Sequence, residues 1–217
     1  MKGLLIKDIR LMKVQRSFFI LIYAVGVGLA LFTEDSTYAV GFPTFVISLF
    51  TVSTISYDEF DNGNAFLFSL PITRKGYVAE KYCLGILLGG SAWLLSSAVV
   101  LIAGTARGMG SVTDICLAAA SVLPLMLLLL AVMLPVQLKF GAEKGRVALL
   151  IALACIILIG SAGIKTAEML HIDIVALLEG MPVPGLGAVL AAALLTALIL
   201  LAVSAGISTA VMKRKQF

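Results

Sequence analysis

Six runs of predominantly apolar residues, free of Asp, Glu, Lys, Arg and His, set the limits on what this chain can fold into. They cover roughly residues 17–32, 39–56, 82–104, 115–138, 147–163 and 185–212. An α-helix needs about 20 mostly apolar residues to cross a bilayer. The runs therefore predict an all-α integral membrane protein with six transmembrane helices. The first and fifth runs are short and call for extension into their flanks or a thinner bilayer. Of the 217 residues, 61% are hydrophobic and 13% charged, with a mean hydropathy of +1.11. A soluble domain carries about 25% charged residues, so this chain cannot cover a soluble surface. Its length suits one bundle, residues 1–217, without a separate soluble enzyme domain.

The connections sort by charge. With a cytoplasmic N-terminus, all 16 basic residues except Arg107 and Lys165 fall on the cytoplasmic side, while the acidic residues divide evenly. Lys and Arg mark the cytoplasmic face and acidic residues contribute little, so both termini are predicted to be cytoplasmic. The net charge of +4 follows from these loops and does not point to nucleic acid. Residues 1–16 read as an amphipathic interfacial helix, with Leu5, Ile9 and Met12 at helical spacing, Leu4 and Leu11 beside them, and Lys7, Arg10 and Lys13 opposite. Such a helix lies in the headgroup layer, cations toward anionic lipid. A signal peptide shares the basic start, but no small-residue cleavage site follows Phe32. The longest external connection, 164–184, carries Leu170, Ile174, Leu177 and Leu178 and predicts a short interfacial helix.

The spans lack the ionisable groups that ion-coupled transporters place at mid-membrane. No HExxH helix and no phosphate loop ending in Lys-Ser or Lys-Thr occurs. Cys83, Cys116 and Cys155 lie in apolar runs without metal or redox spacing, and His171 has only Asp173 near it. Thr44, Ser48, Thr51, Ser53 and Thr54 either bond within and between helices or line a path for amphipathic cargo. Gly85 and Gly89 form a GxxxG pair, followed by Gly90, which fits a close contact within the chain or a dimer seam.

The charged segment 57–81 interrupts the apolar pattern. Asp58, Glu59 and Asp61 precede aromatic residues at Phe66 and Phe68, and acids suit a helix N-terminus. Leu70 precedes Pro71, so a first helix is predicted to stop by Ser69. Thr73 then caps a second helix running through Arg74, Lys75, Tyr77 and Lys81 into the third span. A partner that pushes the short helix moves that span.

The run DEFDNG followed by SLPITRKGYVAEKY resembles the cytoplasmic insert of ABC-2 type transporter permeases, most closely the small six-span branch with the phenol-soluble modulin exporter permeases. The chain departs from the family pattern where Asn64 and Ala65 follow the Asn-Gly pair. The resemblance implies a plasma-membrane subunit of a bacterial ATP-driven exporter, working as a dimer with an identical or sister permease. It implies two copies of a separate ABC ATPase, which carries the ATP and Mg; this chain carries no cofactor and is not itself an enzyme. Carried over position by position, the ATPase contact falls on Asp58, Glu59, Phe60, Asn62, Gly63 and Phe66, while Ser69, Leu70, Pro71 and Arg74 set the angle of the lever. The implied cargo is hydrophobic or amphipathic, such as an amphipathic peptide. The rival expectations are an ion-gradient-driven secondary transporter, which survives ATP depletion, and a scaffold or sensor subunit, which binds partners without moving cargo.

Overall fold

The structure, a computed structural model, describes residues 2–33, 35–60, 63–108, 111–169 and 185–215, with 142–169 followed by backbone alone. Among these residues the chain is all helix: α1 (Lys2–Val14), α2 (Arg16–Phe32), α3 (Ser36–Glu59), α4 (Gly63–Ser69), α5 (Arg74–Arg107), α6 (Val112–Met169) and α7 (Leu186–Arg214). Four helical stretches are long and apolar enough to cross a membrane: α3, α5, the Val112–Gly141 arm of α6, and α7. α1 and α2 pass the same test only as a pair bent by 70°. The bend falls at Gln15, whose φ of −95° and ψ of 26° leave the helical region. The expected first span thus corresponds to α2, with α1 turned steeply away from it. The expected fifth span, 147–163, is helical within the second arm of α6. The interfacial helix expected near 170–178, with His171, lies outside the described residues.

Local chemistry sets the helix ends. Asp35 caps α3 by accepting the Thr37 N–H at 2.8 Å, and Thr73 caps α5 by accepting the Gly76 N–H at 3.1 Å. α6 breaks at Gly141, whose φ of 75° is a conformation that glycine adopts without steric cost. At the end of the bundle opposite to the charged one described below, Arg107 donates to the carbonyls of Ala30 at 3.1 Å and Thr33 at 3.4 Å. This places a cation on the unsatisfied carbonyls of the α2 C-terminus.

α3 is the central helix, packed against α2, α5 and α6, whereas α7 lies outside against α6 and α5. The hydroxyls of Thr44, Ser48 and Thr54 donate to the carbonyls of Val40, Phe45 and Thr51 on the same helix. They are buried between helices and so fill the seams. The Gly85–Gly89 pair does the same from α5. A Cβ at Gly89 would stand 2.6 Å from Met126 Sδ and 3.1 Å from Ser48 Cβ, and one at Gly85 would stand 3.0 Å from Leu130 Cδ2. The motif therefore serves the contact of α5 with α3 and α6 inside this chain; Gly90, beside it, faces open space.

Candidate functional site

The C-terminus of α3, the N-terminus of α5, α1, α4, the Gly141 break and the end of α7 gather at one end of the bundle. α3 runs on to Glu59, so Asp58 and Glu59 close a long helix where the sequence pattern placed them at the start of a short one. A helix C-terminus carries partial negative charge and repels carboxylates. Three lysines from other parts of the chain offset this: Lys7 and Lys81 pair with Asp58, and Lys215 pairs with Glu59 at 2.8 Å.

Lys81 is the hub. Its Nζ donates to Asp8 Oδ2 at 2.5 Å and to Thr54 Oγ1 at 3.0 Å, and it pairs with Asp58 Oδ2 at 2.9 Å. Glu80 Oε2 stands 3.6 Å away. The Tyr77 hydroxyl donates to Asp58 Oδ2 at 3.0 Å, and Lys7 bridges Asp58 to Asp8 Oδ1, the latter at 3.2 Å. Asp8, Glu80 and Lys81 are fully buried. Three helices are thereby tied together: α1 through Lys7 and Asp8, α3 through Thr54 and Asp58, α5 through Tyr77 and Lys81. Buried charges are tolerated only when paired and hydrogen-bonded, and each cation here touches at least two acids.

Sequence reasoning missed Asp8, Tyr77, Glu80 and Lys81 as a unit. One signal was available. On a helical projection Asp8 sits amid Leu4, Leu5, Leu11 and Met12, so an acid occupies the middle of an apolar face. That face turns inward, with Leu4 and Asp8 buried, while Ile9 stays exposed.

The insert follows the expected outline. α4 ends at Ser69, whose hydroxyl bonds the Phe66 carbonyl at 2.7 Å; the chain then turns through Leu70, Pro71 and Ile72 to the Thr73 cap. Leu67 and Asn64 face inward, and Phe68 packs edge-on to Tyr77 with ring centroids 5.6 Å apart. Gly63 opens α4 close to the backbone, where a Cβ would stand 2.7 Å from the Asp58 carbonyl. Phe60, Phe66 and Leu70 point outward, 73%, 72% and 45% exposed, and Pro71 is exposed beside them. Arg74 turns the other way, donating to the carbonyls of Met212 at 2.9 Å and Lys213 at 2.7 Å. The ten expected residues thus divide: Asp58, Glu59 and Arg74 hold the joint, and Phe60, Phe66, Leu70 and Pro71 are exposed on and beside α4. Ser69 and Gly63 shape the helix between them. Asn62 lies outside the described residues.

One layer deeper, the Tyr82 hydroxyl bonds Ser204 Oγ at 2.6 Å and Ser208 Oγ at 2.8 Å, and Ser204 donates to the Ala131 carbonyl at 2.5 Å. α5 is therefore fastened to α6 and α7 as well.

A family model described as ABC-2 family transporter protein matches residues 3–213, nearly the whole chain. The chain belongs to the ABC-2 transporter family. Comparison with curated proteins and with solved structures gives no match. As an ABC-2 permease the chain is a multi-pass membrane subunit, and permeases of this family work with an ABC ATPase partner. Within this ABC-2 permease, the charged end carries α4 with Leu67 turned inward and Phe66 exposed.

Proposed function

We propose that the chain is the membrane subunit of an ATP-driven exporter, with six spans, both termini cytoplasmic, and α4 as the helix that receives force from a separate ATPase. Two copies of that ATPase, holding ATP and Mg, act on two permease copies, identical or sister, in a bacterial plasma membrane. The observation that carries this reading is the outward exposure of Phe60, Phe66, Leu70 and Pro71 on and beside α4, which packs on α5 through Phe68 and Tyr77. Phe60, Phe66 and Leu70 expose three large apolar side chains within eleven residues of the chain, and aromatic anchors dominate binding at protein interfaces. α5 is 34 residues, about 51 Å long at 1.5 Å per residue, against a hydrocarbon core of about 30 Å. Its apolar stretch begins at Tyr82, so residues 74–81 project beyond the bilayer and make a lever continuous with a span. Charge-free spans favour hydrophobic or amphipathic cargo, with amphipathic peptides the preferred class.

Phe60→Ala and Phe66→Ala are expected to weaken ATPase binding by about tenfold or more each, while membrane insertion and yield stay unchanged. Co-purification of the ATPase with tagged permease from solubilised membranes, followed by ATP-dependent cargo transport, measures both. Normal binding and transport in the double variant would remove α4 from the coupling path.

A further inference from the structure

The joint around Lys81 contains three carboxylates, Asp8, Asp58 and Glu80, but only two lysines, Lys7 and Lys81. Asp58 accepts from both lysines and from Tyr77, and Asp8 Oδ2 accepts from Lys81. Glu80 is left with the longest contact, 3.6 Å to Lys81, and neither of its oxygens receives a hydrogen bond although the side chain is fully buried. Asp8 Oδ1 has the Lys7 ammonium 3.2 Å away but receives no hydrogen bond. A fully buried carboxylate that receives no hydrogen bond and only a distant cation is costly enough that such a group takes up a proton instead. Asp8 is among the groups that act on the Glu80 carboxyl, so one proton would let Glu80 donate a hydrogen bond to it.

We propose that Glu80 binds a proton and donates it in a hydrogen bond to Asp8, and that loss of this proton to water releases α1 from α5. With Glu80 protonated the joint holds two negative and two positive charges. Deprotonation adds a second carboxylate against Asp8 and leaves the joint one negative charge in excess. α1 is the element that yields, because its contact with α5, made by the Asp8–Lys81 pair and by Leu5, Leu11 and Met12 against the cluster of Leu84 and Leu88, is slight beside the long seam of α3 and α5. The charged groups facing Glu80 are Lys81 beside it and Asp8 and Lys7 from α1, with Asp58 and Tyr77 beyond Lys81; Lys215 from the end of α7 goes to Glu59. Glu80 precedes the apolar stretch of α5, in the segment 74–81 proposed above to project beyond the bilayer. Burial, then Asp8, push its carboxyl up to about 7 against the opposing pull of Lys81. This folded-state value lies above the ordinary 4.5, so the contribution of Glu80 to stability is complete below 4.5 and is lost as pH rises to about 7. The joint is thus closed on the acid side of neutrality and loosened on the alkaline side, whichever ATPase drives the permease.

The test is hydrogen exchange of the purified chain in lipid nanodiscs, followed helix by helix across pH and corrected for the intrinsic pH dependence of exchange. Protection of α1 is expected to fall as pH rises through about 7, with α7 unchanged. In Glu80→Gln, whose amide stays neutral and can still donate to Asp8, protection of α1 is expected to persist across the range. A flat profile in the unaltered chain would overturn the proposal, and this arm needs no variant to fold. A fall in Glu80→Gln that tracks the unaltered chain would overturn it as well.

Discussion

Lys81 was one basic residue among many in the sequence pattern, assigned to the cytoplasmic side by its sign alone. In the structure it is fully buried and bonded to Asp8, Asp58 and Thr54. Deleting one partner of a buried ion cluster strands the others, at a cost of about 3–5 kcal/mol. Lys81→Met keeps the volume and removes the charge, leaving Lys7 alone against the acids. It is expected to lower Tm on the order of 10 °C, measured by circular dichroism of the detergent-solubilised chain. A drop of only a degree or two would mean that water or detergent already reaches the joint. The individual charges were legible as topology signals, because that rule acts on one residue at a time. Their pairing was not, because Asp8 and Lys81 are 73 positions apart and no local pattern joins them.

The helices divide in the same way between what is local and what is remote. The stop at Ser69 and the cap at Thr73 follow from Pro71 and a threonine hydroxyl, both neighbours of the backbone they act on. The end of α3 follows from lysines elsewhere in the chain, and so Asp58 and Glu59 were expected on the wrong helix. The glycine pair shows the limit differently: its spacing announced a close approach, but only the packing decides which helices approach. Gly89→Val is expected to destabilise by about 1–3 kcal/mol, since its side chain would meet Met126 and Ser48. Gly90→Ala faces open space and is expected to be neutral or stabilising by up to about 1 kcal/mol, the gain in helix propensity. Paired thermal melts of the two variants separate these signs.

The bundle has a basic, knotted end and a sparsely charged end where Arg107 caps α2. The charge asymmetry that predicts orientation is the same one that builds the joint. In a chain freed of Cys83, Cys116 and Cys155, a thiol introduced by Phe66→Cys is expected to react with a membrane-impermeant reagent only after cells are opened. One introduced by Val112→Cys, exposed at the far end, is expected to react in intact cells. The reverse result would turn the bundle over and place α4 where no cytosolic ATPase could reach it. The corner also imposes an order of assembly. Arg74 rests on carbonyls at the end of α7, and Lys215 anchors to Glu59 and to the Leu138 carbonyl at 3.2 Å. A ribosome makes those anchors last, so α4 and the start of α5 wait, half-fastened, through the synthesis of two more hairpins. On the coupling role proposed for α4, firm engagement of an ATPase waits until α7 is in place.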